Sequence, residues 1–123
     1  MPGTQALTDR LFVENLRLEC RVGISRKERL RPQEVVIDVS LYFDLSRAAR
    51  RDRIGATVNY KAVMAAVSGF ISSRSFNLVE SVAEGLAALL LESFPAERVS
   101  VKVRKKKYSS EPSVGVEVER VRT

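Results

Sequence analysis

The 123-residue sequence predicts an α+β fold in which the elements follow the order β-β-α-α-β-β. Near both ends of the chain, apolar residues alternate with polar ones, and a period of two residues is typical of half-buried strands. In the middle, apolar residues recur every three or four positions, which indicates two helices. Two hairpins flanking a helix pair favour one antiparallel four-stranded sheet with both helices on a single face.

The first hairpin is predicted from two alternating segments. The first strand covers Leu16–Val22, can begin as early as Leu11, and ends at Gly23. Residues 1–9 are expected to be a loose lead-in, and the charged residues 25–32 to connect the two strands. The second strand has Val35, Ile37, Val39, Leu41 and Phe43 facing inward and Glu34, Asp38 and Ser40 facing outward.

Two helices are predicted in the middle of the chain, after the polar segment 44–56, which has at most a short helical turn at Ser46–Arg50. Asn59 is a good N-cap for the first helix. The apolar side of this helix comprises Tyr60, Val63, Met64, Val67, Phe70 and Ile71. The second helix follows Asn77 and stops near Pro95. Its apolar face comprises Val79, Val82, Ala83, Leu86 and Leu90.

The second hairpin completes the sheet. Its strands are predicted from two sets of alternating valines, which are Val99, Val101 and Val103, then Val114, Val116 and Val118. Residues 105–112 form the loop between these strands. An open sheet leaves two edges that must be paired or protected, so self-association is expected.

Composition restricts the class of protein. Hydrophobic residues make up 45% and charged residues 29%, which is typical of one soluble globular domain spanning 1–123. No apolar run approaches the length of a membrane span, and no segment resembles a signal peptide, so we expect a cytoplasmic protein without membrane partners. The lone cysteine, Cys20, is consistent with a reducing compartment.

The sequence contains no histidine. An all-protein zinc site and a Ser-His-Asp or Cys-His mechanism are therefore not expected, and any proton transfer falls to Glu, Asp, Lys, Tyr, Cys or water. The net charge of +6 favours anionic partners without identifying them.

Polar residues at the ends of elements are the candidates for a site, and each has a structural alternative. Glu80 can close a capping box with Asn77 or anchor a ligand. Glu28 lies among arginines and can be solvated charge. Tyr60 has the spacing of a core residue. Lys105 belongs to the basic run Arg104-Lys105-Lys106-Lys107, and such runs are usually exposed on the surface.

Several short motifs occur in a specific order from about residue 10 to 122. They are Asn15-Leu16-Arg17-Leu18, Val22-Gly23-Ile24, Glu28, Gln33 before a Val-Val-Ile-Asp-Val strand, Thr57-Val58-Asn59-Tyr60, Leu78-Val79-Glu80 with Ala83-Glu84, and a Val-x-Val-x-Lys strand end. Together they resemble dihydroneopterin aldolase and its relative, dihydroneopterin triphosphate epimerase. The resemblance implies the tunnelling fold, whose subunits close their sheets into a ring-shaped barrel of four, with two rings often stacked as an octamer.

The resemblance also implies roles for individual residues. Glu80, with Val79 beside it, would anchor the pterin through paired acceptor oxygens. Tyr60 and Val58 would approach the pterin across a subunit boundary. Lys105 would be the catalytic lysine, with Lys106 and Lys107 as the other lysines that could face the pocket. Lys105 is chosen because alternation puts it on the face of Val101 and Val103. Glu28 would position hydroxyls and water, and Gln33 would support its loop.

The implied reaction cleaves 7,8-dihydroneopterin into 6-hydroxymethyl-7,8-dihydropterin and glycolaldehyde. The substrate's own C=N bond accepts the electrons of the breaking bond, so no cofactor, Schiff base or metal is expected. The triphosphate epimerase is the main alternative, since the positive charge in both loops could hold a triphosphate.

A basic nucleic-acid-binding module is a distant alternative, because few aromatics are available for stacking and no nucleic acid partner is expected. It would use Arg98, Lys102, Arg104, Lys105, Lys106 and Lys107. Zinc-dependent enzymes of the same fold are disfavoured by the missing histidines.

Overall fold

Four antiparallel strands form one sheet in the computed structural model, which describes residues 9–105, 110 and 112–123. The strands are β1 (Arg10–Cys20), β2 (Gln33–Tyr42), β3 (Arg98–Lys105) and β4 (Val114–Val121), in the order β1-β2-β3-β4. The predicted sheet is therefore confirmed, with β2 and β3 at its centre and β1 and β4 at its edges.

Both long helices cover one face of the sheet, as predicted. Helix α3 (Tyr60–Ser72) packs against β1, and α4 (Val79–Ser93) packs against β3 and β4. The predicted cap of α3 is confirmed, because the Asn59 side chain accepts a hydrogen bond from the Lys61 N–H at 3.0 Å. Within the described residues, no helix has the length and apolar character needed to cross a membrane.

Three short elements lie in the connections. Helix α1 (Arg26–Arg29) lies within the predicted charged connection between the first two strands, where no helix was expected. Helix α2 (Ser46–Arg51) confirms the predicted helical turn, and a 3-10 turn over Ile54–Ala56 leads from it toward α3.

The hydrophobic core lies between the sheet and the two long helices. It combines the inward residues of the central strands with one face of each helix, and burial of such side chains contributes roughly 1.5–3 kcal/mol each. The buried residues include Val35, Ile37, Val39, Leu41, Val99, Val101, Val103, Val63, Val67, Ile71, Val82, Ala83, Leu86 and Leu90. The alternation and the helical spacing thus predicted the core faces correctly. Phe43 lies just beyond β2 and is partly buried against this core.

Ser40 and Tyr60 differ from their predicted environments. Ser40 faces away from the helices as expected, but it is buried because Arg10 Nη1 donates a hydrogen bond to its Oγ at 2.6 Å. Tyr60 was placed on the apolar side of its helix, yet it is 52% exposed. It stands in the first turn of α3, before that helix is covered by the sheet.

The first strand differs from the prediction at both ends. It starts at Arg10 and contains a bulge at Asn15, whose φ is 59° and whose N–H donates to Asp38 Oδ1 at 2.7 Å. Asp9 accepts hydrogen bonds from the backbone of Phe43 and Leu45, so it is not part of a loose lead-in. The remainder of that predicted lead-in, 1–8, lies outside the described residues.

The strand ends at Cys20, because the next residues turn toward the connection between the two long helices. Val22 forms an isolated parallel bridge with Phe76, and the Gly23 N–H donates to the Phe76 carbonyl at 3.0 Å. This pairing ties the first loop to the segment that precedes α4. It brings two of the predicted site regions to the same end of the molecule.

Candidate active site

A cleft of about 410 Å³ opens where the start of α4 meets the facing ends of β3 and β4. Its lining residues are Val79, Glu80, Lys105, Pro112, Val114, Gly115 and Val116. The fold therefore brings three predicted site residues together, although they are far apart in the sequence. The cleft has mostly apolar walls with one carboxylate and one ammonium group, a combination suited to a small heterocyclic ligand.

The carboxylate of Glu80 is available in this cleft. The capping box expected with Asn77 does not form, because α4 begins at Val79 and its N-cap is the extended residue Leu78, which makes no side-chain capping bond. Among the described residues, no hydrogen bond or ion pair of the Glu80 side chain occurs, and the residue is exposed. Its place in the first helical turn suits a negative charge.

Glu28 is held by a capping box at the start of α1. Its N–H donates to Ser25 Oγ at 3.2 Å, and its Oε1 accepts from the Ser25 N–H at 3.3 Å. Gly23 makes room for this side chain, since a Cβ on Gly23 would lie 2.4 Å from the Cβ of Glu28. Glu28 is therefore a positioned group and not merely solvated charge. The Ser25-x-x-Glu28 pattern was visible in the sequence and was missed.

Lys105 is the last residue of β3 and lies between the cleft and Glu28. Its Nζ is 3.7 Å from Glu28 Oε2, and its side chain is 23% exposed. The two residues are 77 positions apart in sequence (105 − 28), so only the sheet can bring them together. Lys106 and Lys107, the other lysines considered for this role, lie outside the described residues.

The positive charge of Lys105 also acts on Cys20, the last residue of β1. Burial raises the pKa of the Cys20 thiol to about 11, and the nearby Lys105 charge lowers that pKa by a smaller amount. The thiol is therefore neutral at physiological pH and is a poor nucleophile.

Gln33 supports the first loop and does not line the cleft. It lies opposite Cys20 in the β1–β2 pair, and its Nε2 donates to the Val22 carbonyl at 2.8 Å. Its Oε1 is buried and has no hydrogen-bond partner among the described residues. An unpaired buried acceptor is costly, so this oxygen is a candidate position for an ordered water.

Tyr60 and Val58 lie away from the cleft of their own chain. Val58 precedes α3 and Tyr60 is its first residue, whereas Glu80 lies in the first turn of α4. Helix α3, which lies between these two regions, has 13 residues and a length of roughly 20 Å. Because a short connection joins the two helices into a hairpin, the start of α3 and the start of α4 lie at opposite ends. Val58 is only 6% exposed, so a ligand could reach its backbone but not its side chain.

Two arginines near Glu28 stabilise the first loop. Arg29 Nη1 donates to the carbonyls of Gly23 and Ile24 at 2.9 and 2.8 Å. Arg21 Nη1 donates to the Leu30 carbonyl at 2.6 Å. Charge alone gave no signal for these contacts, because their acceptors are backbone oxygens that become close only when the loop folds.

The basic residues of β3 do not form a continuous unpaired patch. Arg98 pairs with Glu119 at 2.6 Å, Arg104 approaches Asp38 at 3.6 Å, and Lys105 faces Glu28. A nucleic-acid surface requires positive charge free to meet phosphates. This arrangement instead favours neutralisation within the sheet.

Comparisons with known proteins agree with this geometry. The family model for FolB dihydroneopterin aldolase matches residues 11–119. The chain belongs to the dihydroneopterin aldolase family. It is 31% identical to dihydroneopterin aldolase of Escherichia coli K12 over 113 residues, which cover 91% of this chain and 93% of that protein. It spans only 15% of the folic acid synthesis protein FOL1 of Dictyostelium discoideum, to which it is 30% identical over 97 residues.

Solved structures of dihydroneopterin aldolases share the fold. The E. coli dihydroneopterin aldolase in complex with neopterin matches with a TM-score of 0.86 at 31% identity, covering 92% of this chain and 99% of that one. A dihydroneopterin aldolase from Burkholderia bound to guanine matches with a TM-score of 0.77 at 26% identity, covering 94% and 92%.

Proposed function

We propose that this chain is an aldolase of folate synthesis that cleaves 7,8-dihydroneopterin into 6-hydroxymethyl-7,8-dihydropterin and glycolaldehyde. Membership in the dihydroneopterin aldolase family supports this activity. The observation within the molecule that supports it best is the carboxylate of Glu80, which has no partner among the described residues and lies in a cleft that also contains Lys105.

Glu80 binds the pterin ring in this proposal. Neopterin and guanine, the ligands of two related structures, share a 2-amino-4-oxopyrimidine ring. The amino group and the adjacent ring N–H of such a ring are parallel donors, and a carboxylate offers two acceptor oxygens that match them. Val79 and Val116 provide apolar contact for the flat ring at the same cleft.

Lys105 moves protons at the C6 side chain of the substrate, through water and with Tyr60. Removal of the 2′-hydroxyl proton breaks the C1′–C2′ bond, the electrons pass into the C=N bond of the ring, and glycolaldehyde leaves. Protonation at C1′ then gives the hydroxymethyl product. The ammonium group of Lys105 stabilises the negative charge that develops on the ring, and Glu28, at 3.7 Å, orients this lysine and the water.

The site is completed by a second copy of the chain. Strands β1 and β4 are the two edges of the sheet, and pairing β1 of one copy with β4 of the next would close a ring. Large exposed apolar residues occur at both ends of the molecule: Val114 in the cleft and Ile24 in the first loop, and Ile54 and Tyr60 at the start of α3. A head-to-tail contact between these ends would place Tyr60, and the backbone of Val58, beside a neighbour's cleft, in a tetrameric ring or a stacked octamer.

The activity is tested by incubating the purified protein with 7,8-dihydroneopterin and, separately, with its triphosphate. We expect release of glycolaldehyde from dihydroneopterin, with and without a metal chelator. Formation of a 2′-epimer from the triphosphate alone, with no glycolaldehyde, would identify an epimerase and contradict the proposal.

The role of Lys105 is tested by the Lys105→Ala variant, which should lower kcat by at least about 100-fold because a proton-transfer group is lost. Lys102→Ala is the matched control, because Lys102 is exposed on the same strand but faces away from the cleft. It should retain wild-type turnover. Normal turnover by Lys105→Ala would reject the assignment.

A further inference from the structure

A second concave site, separate from the cleft described above, lies beside helix α2. It is a cavity of about 430 Å³ lined by Arg47, Arg51, Arg53 and Gly55. None of these residues lines the cleft that contains Glu80 and Lys105. We propose that Arg47, Arg51 and Arg53 form a binding site for a small oligophosphate group.

The three arginines line one and the same cavity. Among the described residues, no ion pair involves Arg47, Arg51 or Arg53. The nearest acids in the sequence are Asp44, whose carboxylate accepts from the Ser46 N–H at 2.9 Å, and Asp52, which caps the end of α2. Among the described residues, the charged side chains that line the cavity are therefore all cationic.

Such an arrangement is unfavourable without a ligand. Arg47 and Arg51 are four residues apart on α2, and like charges at this spacing destabilise a helix. An anion that bridges the guanidinium groups would remove this repulsion. Gly55 adds no side chain to the cavity wall, and a Cβ there would meet no atom within 4 Å, so the backbone remains accessible.

The chemistry of the lining selects the class of ligand. A guanidinium group binds a phosphate through two parallel N–H donors, and three such groups match a ligand with several phosphate groups better than a single carboxylate. Among the described residues that line the cavity, none is an aromatic that would stack on a base. The recognised part of the ligand is therefore the oligophosphate, whether inorganic or part of an ester.

The position of the site links it to the first turn of α3. Arg53 directly precedes the 3-10 turn Ile54–Ala56, and Thr57 connects that turn to Val58 and Asn59. An anion bound to Arg53 would order the segment that leads to Tyr60.

The proposal is tested by calorimetric titration of the wild-type protein with inorganic tripolyphosphate at low salt, and of the Arg51→Gln and Arg50→Gln variants. Arg50 and Arg51 are adjacent in α2 and have the same charge, but only Arg51 lines the cavity. Loss of a charge-assisted contact should weaken tripolyphosphate binding roughly tenfold in Arg51→Gln, whereas Arg50→Gln should change it less than about twofold.

A second arm distinguishes the sources of the oligophosphate. Titration with ATP that gives the same affinity as tripolyphosphate indicates recognition of the phosphates alone, and tighter binding of ATP indicates an ester. Both outcomes support the site if the Arg51→Gln substitution weakens the binding of ATP and of tripolyphosphate. Equal losses in the two arginine variants, or no tripolyphosphate binding at low salt, would overturn it. Glycolaldehyde release from dihydroneopterin, measured on the same samples, tests the aldolase proposal independently.

Discussion

The Glu80 side chain has two acceptor oxygens in an apolar cleft and no partner among the described residues. If it anchors the pterin, Glu80→Gln should weaken neopterin binding by about 10- to 100-fold, because one acceptor becomes a donor and the charge is lost. Isothermal titration with neopterin measures this change. Thermal stability should be nearly unchanged, since no intramolecular bond is broken.

Glu92→Gln is the matched control for this substitution. Glu92 is an exposed carboxylate near the end of the same helix and does not line the cleft. It should bind neopterin as the wild type does. If Glu80→Gln binds neopterin as tightly as the wild type does, Glu80 does not anchor the pterin.

Because of Cys20, the free energy of unfolding should depend on pH in the alkaline range. The thiol has a pKa of about 11 in the folded protein and 9.0 as the reference value for the unfolded chain. Between these values the unfolded chain loses the proton first, so the free energy of unfolding should fall as pH rises from about 9 to 11, by up to about 2–3 kcal/mol.

Denaturant unfolding of wild type and Cys20→Val across this pH range measures that effect. The stability difference between the two proteins should shift in favour of the variant as pH rises, because valine has no proton to release. A stability difference between the two proteins that stays constant from pH 8 to 11 would show that burial does not raise the pKa of the thiol.

The conformation of the first loop requires a residue without a side chain at position 23, which is Gly23. In Gly23→Ala the new Cβ would meet Glu28 at 2.4 Å, so Glu28 must leave its capping box and its position beside Lys105. We expect kcat/KM to fall at least about tenfold, because small displacements of positioning groups are costly. Loss of the cap should reduce stability by about 0.5–2 kcal/mol.

Gly69→Ala is the control for that substitution. Gly69 lies within α3, where a Cβ would meet nothing within 4 Å. Alanine there should stabilise the protein by about 0.5–1 kcal/mol with unchanged activity. Full activity in Gly23→Ala would show that the placement of Glu28 does not matter for catalysis.

The elements show which parts of this molecule the sequence can predict. The valine alternation of β3 and the apolar spacing of α4 predicted the core faces, because burial imposes those periods on every position. The start of α4 was wrong by one residue, since Asn77 had the chemistry of a cap but Leu78 occupies that place. The Glu28–Lys105 pair joins a residue of α1 to the last residue of β3, and no local sequence pattern predicts such a contact.

At the scale of the whole molecule, the proposed site is incomplete in one chain. Glu80 and Lys105 lie at one end of the helix layer and Tyr60 begins α3 at the other, so the proposed constellation requires a neighbour. The sequence could suggest this only through the resemblance, because the distance between the ends depends on the helical hairpin. Two open sheet edges and exposed Tyr60 are consistent with a ring.

The central claim is that Lys105 of one copy acts with Tyr60 of the next, and subunit mixing tests it most directly. Lys105→Ala and Tyr60→Ala proteins, each inactive alone, are unfolded together, refolded, and assayed for glycolaldehyde release from dihydroneopterin. Random assembly into head-to-tail rings should restore about a quarter of the wild-type activity, because about a quarter of the sites then combine an intact Lys105 with an intact Tyr60. Activity no higher than that of the separate variants would contradict a site shared between copies.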